Sequence, residues 1–598
     1  MNHRTGTRRC IHRLRLVAAT LLALGLEGAH AAEGHCAIQV MELPVKMVGG
    51  RAVATVGING TTVPMIVDSG AFFSMLTDAA AAQLKLVLQP LPRGMELQGL
   101  TGKIDARATV VDHLQLLKGD LPRVDFIVGG NDPGGGAMGM LGRNILAFTD
   151  TEYDLAHGMV RFVFPNDDCD KANMAYWAGD QPVSDVRLLH EFRQNLPAIR
   201  ADVALNGHQV LAMFDTGATT TVSLRAAHQA GLKDGDMTPW QQMVGAGRGK
   251  TESWVAPFDR IELGGEAMLH SRLEVADFAM TDVDMLVGID FFLSHRIYVS
   301  KKRSRMFFTY NGGPVFALSV RAPAAAASAA NRASAPLDAL TADDLARRGA
   351  ASLARGDLAA ALADLDRACA MEPGNAGFFL GRAQIHGARQ DFDATMADLD
   401  TTLRLDPSLA PARMLRAWMR AAHQEPQRAL DDLSELDKTA APQSPVRAEM
   451  ARLYDVVGRP EQVITQWSLW IAAHPHDIAL EVAWNGRCWA RVELGIDLDQ
   501  ALDDCDRAID ADSKNASYLD SRAWVYLRQG KLKKSLADFD RGLAMRPDGV
   551  WSLYGRSLAH QGLGDAVAAQ ADLATARAKD PHIDEAIRKA GMPLAPAR

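Results

Sequence analysis

The sequence of 598 residues has few aromatic residues, few cysteines and no excess of positive charge. Aromatic side chains make up 6% of it and the formal net charge is −8, so the sequence gives no strongly basic field and nucleic-acid binding is disfavoured. Hydrophobic residues reach 48% against 23% charged residues, which excludes a largely disordered chain. No apolar run reaches the roughly 20 residues of a membrane-spanning helix. The length instead predicts three or four folded domains.

Common metal and nucleophile motifs are also missing. The sequence has no Cys-x-x-Cys, no HExxH, no GxSxG and no EF-hand loop, and its six cysteines do not stand at zinc-ligand spacing from histidines. The string from Gly245 to Thr251 ends like a phosphate-binding loop, but Val244 stands where the first glycine is required. We therefore expect neither a metal nor a cofactor.

The first 31 residues have the pattern of a cleaved signal peptide. Five arginines precede an apolar run from Leu16 to Leu26, and Ala29-His30-Ala31 provides a small-residue cleavage site. The run is short for a spanning helix, although a retained membrane anchor is the alternative. We expect an exported, periplasmic protein without a stable membrane span after removal of residues 1–31.

The second half of the chain carries a repeat. An Ala-, Pro- and Ser-rich stretch, residues 313–337, is predicted to be a linker. Beyond it, helical patterns end near prolines that recur at steps of about 34 residues, which resembles the tetratricopeptide repeat. About seven units would stack into an all-α solenoid over residues 338–588 and bind a protein partner. The prolines are Pro373, Pro407, Pro442, Pro475, Pro547 and Pro581.

The first half contains one pattern twice. Asp68-Ser69-Gly70 and Asp215-Thr216-Gly217 each follow a short apolar strand, and an Asn-Gly hairpin signal stands eight or nine residues before each Asp. A glycine-containing hairpin follows each Asp, and then two apolar residues and a glycine. Corresponding features are separated by 146 or 147 residues. This agreement predicts a duplicated β-rich lobe of ordinary domain size.

This pattern resembles the retropepsin-like aspartic proteases, present here as two all-β lobes in tandem. The resemblance implies lobes at residues 37–165 and 196–312, with a connector at 166–195. It also implies two catalytic carboxylates, four residues that support their loops, and two flaps that cover the substrate. The implied catalytic residues are Asp68 and Asp215, the supporting residues Ser69, Gly70, Thr216 and Gly217, and the flap residues Gly99, Leu100, Gly245 and Ala246.

Chemistry explains why an aspartic protease needs the motif twice. Peptide hydrolysis requires one group to take a proton from water and another to protonate the carbonyl oxygen. Two carboxyls close together share one proton and so supply both groups. The sequence therefore predicts an endopeptidase acting on a peptide or protein. A non-catalytic adaptor built on degenerate lobes, and an enzyme active only after processing or partner docking, remain alternatives.

Two disulfides are possible, because an exported chain can form them, and unlinked thiols are the alternative for each pair. Cys36 and Cys169 bracket the first lobe, and the termini of barrel-like lobes are often close together. Cys488 and Cys505 fall on consecutive antiparallel helices of one repeat. Cys369 is then left as a small core residue. Whether the two lobes pair within one chain or between chains stays open, although the short connector favours one chain.

Overall fold

The computed structural model describes residues 36–167, 169, 172–189, 198–278, 280, 282–316 and 340–595. They form two compact units, of which the first ends at Pro407 and the second begins at Ser408. The predicted signal peptide and residues 317–337 of the predicted linker lie outside the described residues. No described helix combines the length and apolar character needed to cross a membrane.

The first lobe is built from strands of 2 to 11 residues, some buried on one face and others, such as Asp150–Asp154, buried on both. The predicted turn at Asn59-Gly60 is a tight hairpin in which both residues have positive φ, 48° and 82°. Two short helices, α1 (Asp78–Gln83) and α2 (Arg143–Leu146), interrupt the strands. The strands are β1 (Ile38–Val48), β2 (Arg51–Ile58), β3 (Thr61–Val67), β4 (Met75–Leu76), β5 (Gln89–Pro90), β6 (Leu97–Gly99), β7 (Gly102–Ile104), β8 (Ala106–Leu116), β9 (Gly119–Gly129), β10 (Gly139–Leu141), β11 (Asp150–Asp154) and β12 (Met159–Pro165).

The second lobe repeats this arrangement. Asn206-Gly207 forms the corresponding hairpin with φ of 48° and 87°. Its short helices are α3 (Leu224–Gln229) and α4 (Ile289–Ser294). The strands are β13 (Ser184–Arg187), β14 (Arg200–Leu205), β15 (His208–Phe214), β16 (Thr221–Ser223), β17 (Thr238–Val244), β18 (Lys250–Leu263), β19 (Glu266–Ala276), β20 (Met285–Val287), β21 (His295–Ser300) and β22 (Arg305–Tyr310).

The two lobes share one sheet within the same chain. Strand β11 of the first lobe pairs with β21 of the second, with Glu152 opposite Tyr298. The buried carboxylate of Glu152 accepts hydrogen bonds from Arg161 and Arg296, one from each lobe. Strand β13, which lies inside the predicted connector, pairs with β22. The connector therefore contributes to the shared sheet, and pairing of the lobes occurs within one chain.

Helical hairpins follow the lobes, as the period of 34 residues predicts. Seven pairs of antiparallel helices and a short last helix are described between residues 342 and 589. They are α5 (Ala342–Ala354), α6 (Leu358–Met371), α7 (Ala376–Ala388), α8 (Phe392–Leu405), α9 (Ala410–Ala422), α10 (Pro426–Thr439), α11 (Val446–Val456), α12 (Pro460–Ala473), α13 (Leu480–Leu494), α14 (Leu498–Ala511), α15 (Ala516–Arg528), α16 (Leu532–Met545), α17 (Val550–Gly562), α18 (Ala566–Lys579) and α19 (Ile583–Lys589).

The first helical hairpin belongs to the same compact unit as the lobes and packs against them. Ala351 of α5 is fully buried in the apolar core of the lobes. Arg355, just beyond this helix, donates a hydrogen bond of 3.1 Å to the carbonyl of Leu293 at the end of α4. The helix thus covers part of the lobe core and is held there by a polar contact.

Both cysteine pairs suggested by the sequence are joined in the structure. Cys36 and Cys169 are linked with their Cα atoms 4.6 Å apart, and Cys488 and Cys505 with theirs 5.7 Å apart. Cys369 is a free, buried cysteine, and burial raises the pKa of its thiol to about 11. A thiol with so high a pKa is a poor nucleophile at neutral pH, which fits a core residue.

A recurring ion pair stabilises most helical hairpins. An arginine of the first helix donates two hydrogen bonds to an aspartate of the second helix. This bidentate geometry matches a guanidinium to a carboxylate. In the second hairpin Arg382 bonds Asp398 at 2.7 and 2.8 Å and also bonds the exposed Asp366 at 2.9 Å. The pairs are Arg348–Asp364, Arg382–Asp398, Arg416–Asp432, Arg487–Asp504, Arg522–Asp538 and Arg556–Asp572.

Replacing the buried partner is expected to destabilise the first unit far more than replacing the exposed one. The Asp398 side chain is 7% exposed and the Asp366 side chain 55%. Asp398→Asn leaves Arg382 without its main counter-charge and should cost about 2–3 kcal/mol, a value reduced for the partial exposure of Arg382. Asp366→Asn should stay within about 0.5 kcal/mol. Urea unfolding followed by far-UV circular dichroism measures both, and equal effects would contradict the assignment.

Candidate active site

Each predicted catalytic aspartate lies directly after a strand that pairs in parallel with a later strand of its lobe. In the first lobe Val67 of β3 stands opposite Leu141 of β10, and the N–H of Asp68 donates to the Leu141 carbonyl at 3.0 Å. In the second lobe the N–H of Asp215 donates to the Val287 carbonyl at 2.9 Å. The duplicated strands therefore fix both aspartates in the same local geometry.

Ser69 and Thr216 hold the two loops together by crossed hydrogen bonds. The Thr216 hydroxyl donates to the Val67 carbonyl at 2.7 Å and accepts from the Ser69 N–H at 3.0 Å. The Ser69 hydroxyl donates to the Phe214 carbonyl at 3.1 Å and accepts from the Thr216 N–H at 3.0 Å. Both side chains are buried, so these bonds are shielded from water.

The two carboxyls meet at the contact between the lobes, where one backbone N–H reaches both of them. The Gly70 N–H donates to both, at 3.0 Å to Asp68 and at 3.2 Å to Asp215. A Cβ on Gly70 would lie 2.3 Å from the Asp215 carboxyl carbon, and one on Gly217 would lie 2.5 Å from that of Asp68. Only glycine therefore allows the two loops to approach this closely.

Burial and the neighbouring charge change the acidity of this site. Burial, followed by the charge of Asp68, raises the pKa of Asp215 well above the ordinary aspartate value, although the N–H groups of Gly217 and Gly70 partly offset the rise. Tyr153, fully buried nearby, also has a raised pKa because of its burial and the two carboxyls. One proton is therefore retained by the pair under conditions in which isolated aspartates are ionised.

The segment after each of strands β10 and β20 supports the adjacent aspartate loop. The N–H of Arg143 donates to Ala71 and that of Ile289 to Ala218, each at 2.8 Å. Gly142 precedes the first of these residues, and a Cβ there would lie 2.5 Å from the Phe73 carbonyl carbon. The apolar-apolar-glycine pattern in the sequence thus marks a place where backbone packs on backbone.

The two predicted flaps are hairpins whose tips contact each other. Strands β6 and β7 form the first flap, and β17 with the start of β18 forms the second. Thr101 of the first tip donates through its hydroxyl to Gly247 at 3.2 Å and accepts through its carbonyl from Gly249 at 2.7 Å. All four predicted flap residues, Gly99, Leu100, Gly245 and Ala246, line the cleft between the flaps and the aspartates.

The cleft has a volume of about 620 Å³ and includes both aspartates in its lining. This size suits several side chains of an extended peptide. The loop-supporting Gly70 and Gly217 also line it, whereas Ser69 and Thr216 lie beneath, bonded to each other. The structure therefore brings the predicted site residues of both lobes together. Among the described residues, no group of three or more histidines, cysteines and acids could hold a metal ion.

Two residues at the cleft were not identified from the sequence. Arg51 donates to the Gly217 carbonyl across the contact between the lobes. Asn131 donates to the carbonyls of Gly245 and Gly247, and so ties the first lobe to the flap of the second. Neither belongs to a repeated motif, and each acts on a residue more than 100 positions away. No local signal marks such contacts.

Replacing Asp215 by Asn is expected to stabilise the protein at neutral pH. Because the folded state raises the pKa of Asp215, folding above the ordinary pKa near 4 must take up a proton or bury a charge, and stability is lost as the pH rises. Below that value Asp215 is protonated in both states and the penalty vanishes. The melting temperature of Asp215→Asn should exceed that of the wild type by roughly 3 °C or more near pH 7.

Scanning fluorimetry across the pH range measures this effect. The difference in melting temperature between Asp215→Asn and the wild type should disappear by about pH 3, below the ordinary aspartate pKa. Asp366→Asn, an exposed Asp-to-Asn change in the same unit, serves as the matched control and should gain nothing with pH. An Asp215→Asn protein that melts no higher than the wild type at neutral pH would show that the site imposes no such penalty.

Comparison with solved structures returns tetratricopeptide repeat proteins. YrrB, described as "a TPR protein with an unusual peptide-binding site", is 15% identical and covers 32% of this chain and 97% of its own, with a TM-score of 0.29. A tetratricopeptide repeat protein from Parabacteroides merdae is 18% identical, covers 38% and 86%, and has a TM-score of 0.25. MamA is 15% identical, covers 37% and 98%, and has a TM-score of 0.21.

Comparison with protein families identifies both lobes. Residues 54–145 and 201–291 each match the family described as "Aspartyl protease". No curated protein matches the chain significantly. The two matched segments contain Asp68 and Asp215 and the strands that position them. The first half of this chain thus contains two lobes in tandem that each match the aspartyl protease family, and the helical repeats that follow fit the tetratricopeptide repeat.

Proposed function

We propose that this protein is an aspartic endopeptidase in which Asp68 and Asp215 together activate a water molecule. The observation that carries the proposal is the juxtaposition of the two carboxyls, which accept a hydrogen bond from the same Gly70 N–H and line one peptide-sized cleft. The crossed bonds of Ser69 and Thr216 hold their loops in this position. Two carboxyls that share one proton supply a base and an acid at the same place. Such a pair requires no cofactor.

Hydrolysis follows from this shared proton. The ionised carboxylate takes a proton from water as the water oxygen attacks the scissile carbonyl carbon, and the protonated carboxyl gives its proton to the carbonyl oxygen. The resulting tetrahedral diol then breaks its C–N bond. The amine leaves with the proton that came from water, and a diol hydroxyl returns a proton to the pair. The products are a carboxylic acid and an amine, and the dyad regains its single proton.

The flaps suit an extended substrate. Both tips lie over the cleft and present backbone groups, which can hydrogen-bond to a peptide strand while pockets take its side chains. Closure over the substrate excludes bulk water from the dyad, which strengthens the electrostatic interactions of the reaction. The contacts of Thr101 and Asn131 with the second flap must open for a polypeptide to enter.

The helical repeats are proposed to recruit a protein substrate or partner. Stacked helical hairpins present extended surfaces that bind peptides and proteins. Packing of the first hairpin against the lobes ties this recruitment to the unit that contains the dyad.

The test is cleavage of unfolded casein between about pH 4 and pH 8. Asp68→Asn and Asp215→Asn should each lower the rate by at least about 10²–10⁴-fold, because each removes half of the acid–base pair. A pepstatin-like inhibitor should block the wild type. Asp366→Asn, far from the dyad in sequence and exposed, should retain activity.

Two outcomes would overturn the proposal. Equal cleavage by the wild type and both dyad variants would assign the activity to a contaminant. Absence of cleavage by the correctly folded wild type, both as the full chain and after trimming within residues 317–336, would favour the non-catalytic adaptor. Cleavage gained on trimming would instead indicate an enzyme activated by processing.

Export to the periplasm is proposed from the arginine-rich leader and supported by the two disulfides, which persist in oxidising compartments. Expression of the full chain followed by cell fractionation and N-terminal sequencing tests it. The mature protein should be recovered from the periplasm and begin shortly after Ala31. Recovery from the cytoplasm with an intact N-terminus would contradict export.

A further inference from the structure

The duplication gives the cleft two pockets that correspond to each other residue by residue. In the first lobe β4 pairs in parallel with β9, with Met75 opposite Ile127. In the second lobe β16 pairs in parallel with β19, with Thr221 opposite Glu274. Each pair lines the cleft on its own side of the dyad. The two positions are therefore equivalent by strand register, and their side chains can be compared directly.

The pocket of the first lobe is apolar throughout. Met75, Ile104 and Ile127 are buried in one cluster, against which Phe73 and Leu97 pack. All five also line the cleft. A substrate side chain that enters this pocket gains free energy only by burying apolar surface. It therefore suits an aliphatic or aromatic residue.

The pocket of the second lobe has polar residues at the corresponding positions. Thr219 replaces Phe73, Thr221 replaces Met75, and Glu274 replaces Ile127 at the same offsets of 146 or 147 residues. All three line the cleft. The duplicated lobes thus differ in chemistry at three corresponding positions that line the cleft.

Glu274 is a buried acid without a counter-charge. Its side chain belongs to a residue only 6% exposed, its Oε1 has no hydrogen-bond partner, and it takes part in no ion pair within the described part of the chain. Burial raises the pKa of Glu274, and the neighbouring Ser253, whose hydroxyl donates to the Gln241 carbonyl, offsets the rise only in part. A buried acid in this state is costly unless a donor or a cation reaches it.

The cations of the cleft are engaged elsewhere. Arg51 bonds the Gly217 carbonyl, Arg143 lies over the ring of Phe72, and Arg200 pairs with Asp282 at 2.7 Å. None of them forms an ion pair with Glu274. A basic side chain of a bound substrate would supply this carboxyl with the counter-charge that it lacks.

We propose that the second-lobe pocket binds a lysine or arginine side chain of the substrate at Glu274, while the first-lobe pocket binds an apolar side chain. The peptidase would then select sequences with an apolar residue on one side of the scissile bond and a basic residue on the other. This inference rests on the proposed endopeptidase function, whose cleft and dyad define the two pockets.

Cleavage of matched peptides tests the proposal. A set of peptides with an apolar frame carries lysine at one position at a time, and a second set carries norleucine, which has similar length and no charge. At one position on one side of the cleaved bond, lysine should raise kcat/KM about tenfold or more over norleucine, as expected when a buried carboxylate gains a cation.

Variants identify the residue that binds the lysine side chain of the substrate. Glu274→Gln should bring the lysine-to-norleucine ratio close to one, and Glu274→Ile, which copies the first lobe, should invert it. Glu262→Gln on the adjacent strand is the matched control, since Glu262 is exposed, and it should keep the wild-type ratio. The proposed lysine pocket is rejected if the wild type cleaves without a lysine preference, or if the preference is retained in Glu274→Gln. In either case the proposed peptidase activity is unaffected.

A binding measurement separates this failure from failure of the proposed function. Fluorescence anisotropy with the labelled lysine and norleucine peptides uses the Asp215→Asn protein, with and without Glu274→Gln. If the wild type cleaves nothing, about tenfold tighter binding of the lysine peptide that disappears in the double variant upholds the pocket and rejects only the peptidase. Equal affinities, or no binding of either peptide, overturn the pocket.

Discussion

The crossed hydrogen bonds between Ser69 and Thr216 are the interaction on which the first half of the molecule depends. Each hydroxyl donates to a carbonyl of the opposite loop and accepts from an N–H of that loop. Breaking these bonds would leave four backbone groups and two hydroxyls buried without hydrogen bonds, which has a large free-energy cost. This cost holds together two carboxyls whose charges would otherwise drive them apart. A geometry that stabilises a shared proton is therefore maintained by groups that do not titrate.

Joining both lobes in one chain has a second consequence. A dimer of identical lobes would have identical pockets on both sides of its dyad. Here the dyad and supporting glycines stay alike, because an added Cβ at Gly70, Gly142, Gly217 or Gly288 would lie 2.3–2.5 Å from a neighbouring atom. The hairpin glycines stay alike because both have positive φ. The pocket walls are free of this constraint, and Ile127 corresponds to Glu274. Duplication within one chain thus allows the two sides of the cleft to bind different side chains of a substrate.

The helical repeats are stabilised by different interactions. Their cores consist mainly of small and aliphatic side chains, and the recurring arginine–aspartate pair links the two helices of most hairpins. In the fourth hairpin, Met450 and Gln466 stand where the pair would be, and Arg447 bonds Gln466 instead. Each hairpin is thereby held mainly by its own contacts and those of its neighbours, as repeat proteins require.

The sequence by itself determined the local elements. Local elements depend on interactions among near neighbours, so the sequence pattern alone predicts them. They are the Asn-Gly turns, the strands ending in Asp-Ser-Gly or Asp-Thr-Gly, and the helices with a period of 34 residues. The prediction of two β lobes and helical repeats is confirmed. Only the tertiary structure decided that β11 pairs with β21, that β13 inside the predicted connector joins the shared sheet, and that Arg51, Asn131 and Glu274 lie at the cleft. The physical reason is distance: contacts between residues more than 100 positions apart leave no periodic pattern, and burial of an acid such as Glu274 exists only once the sheets have packed.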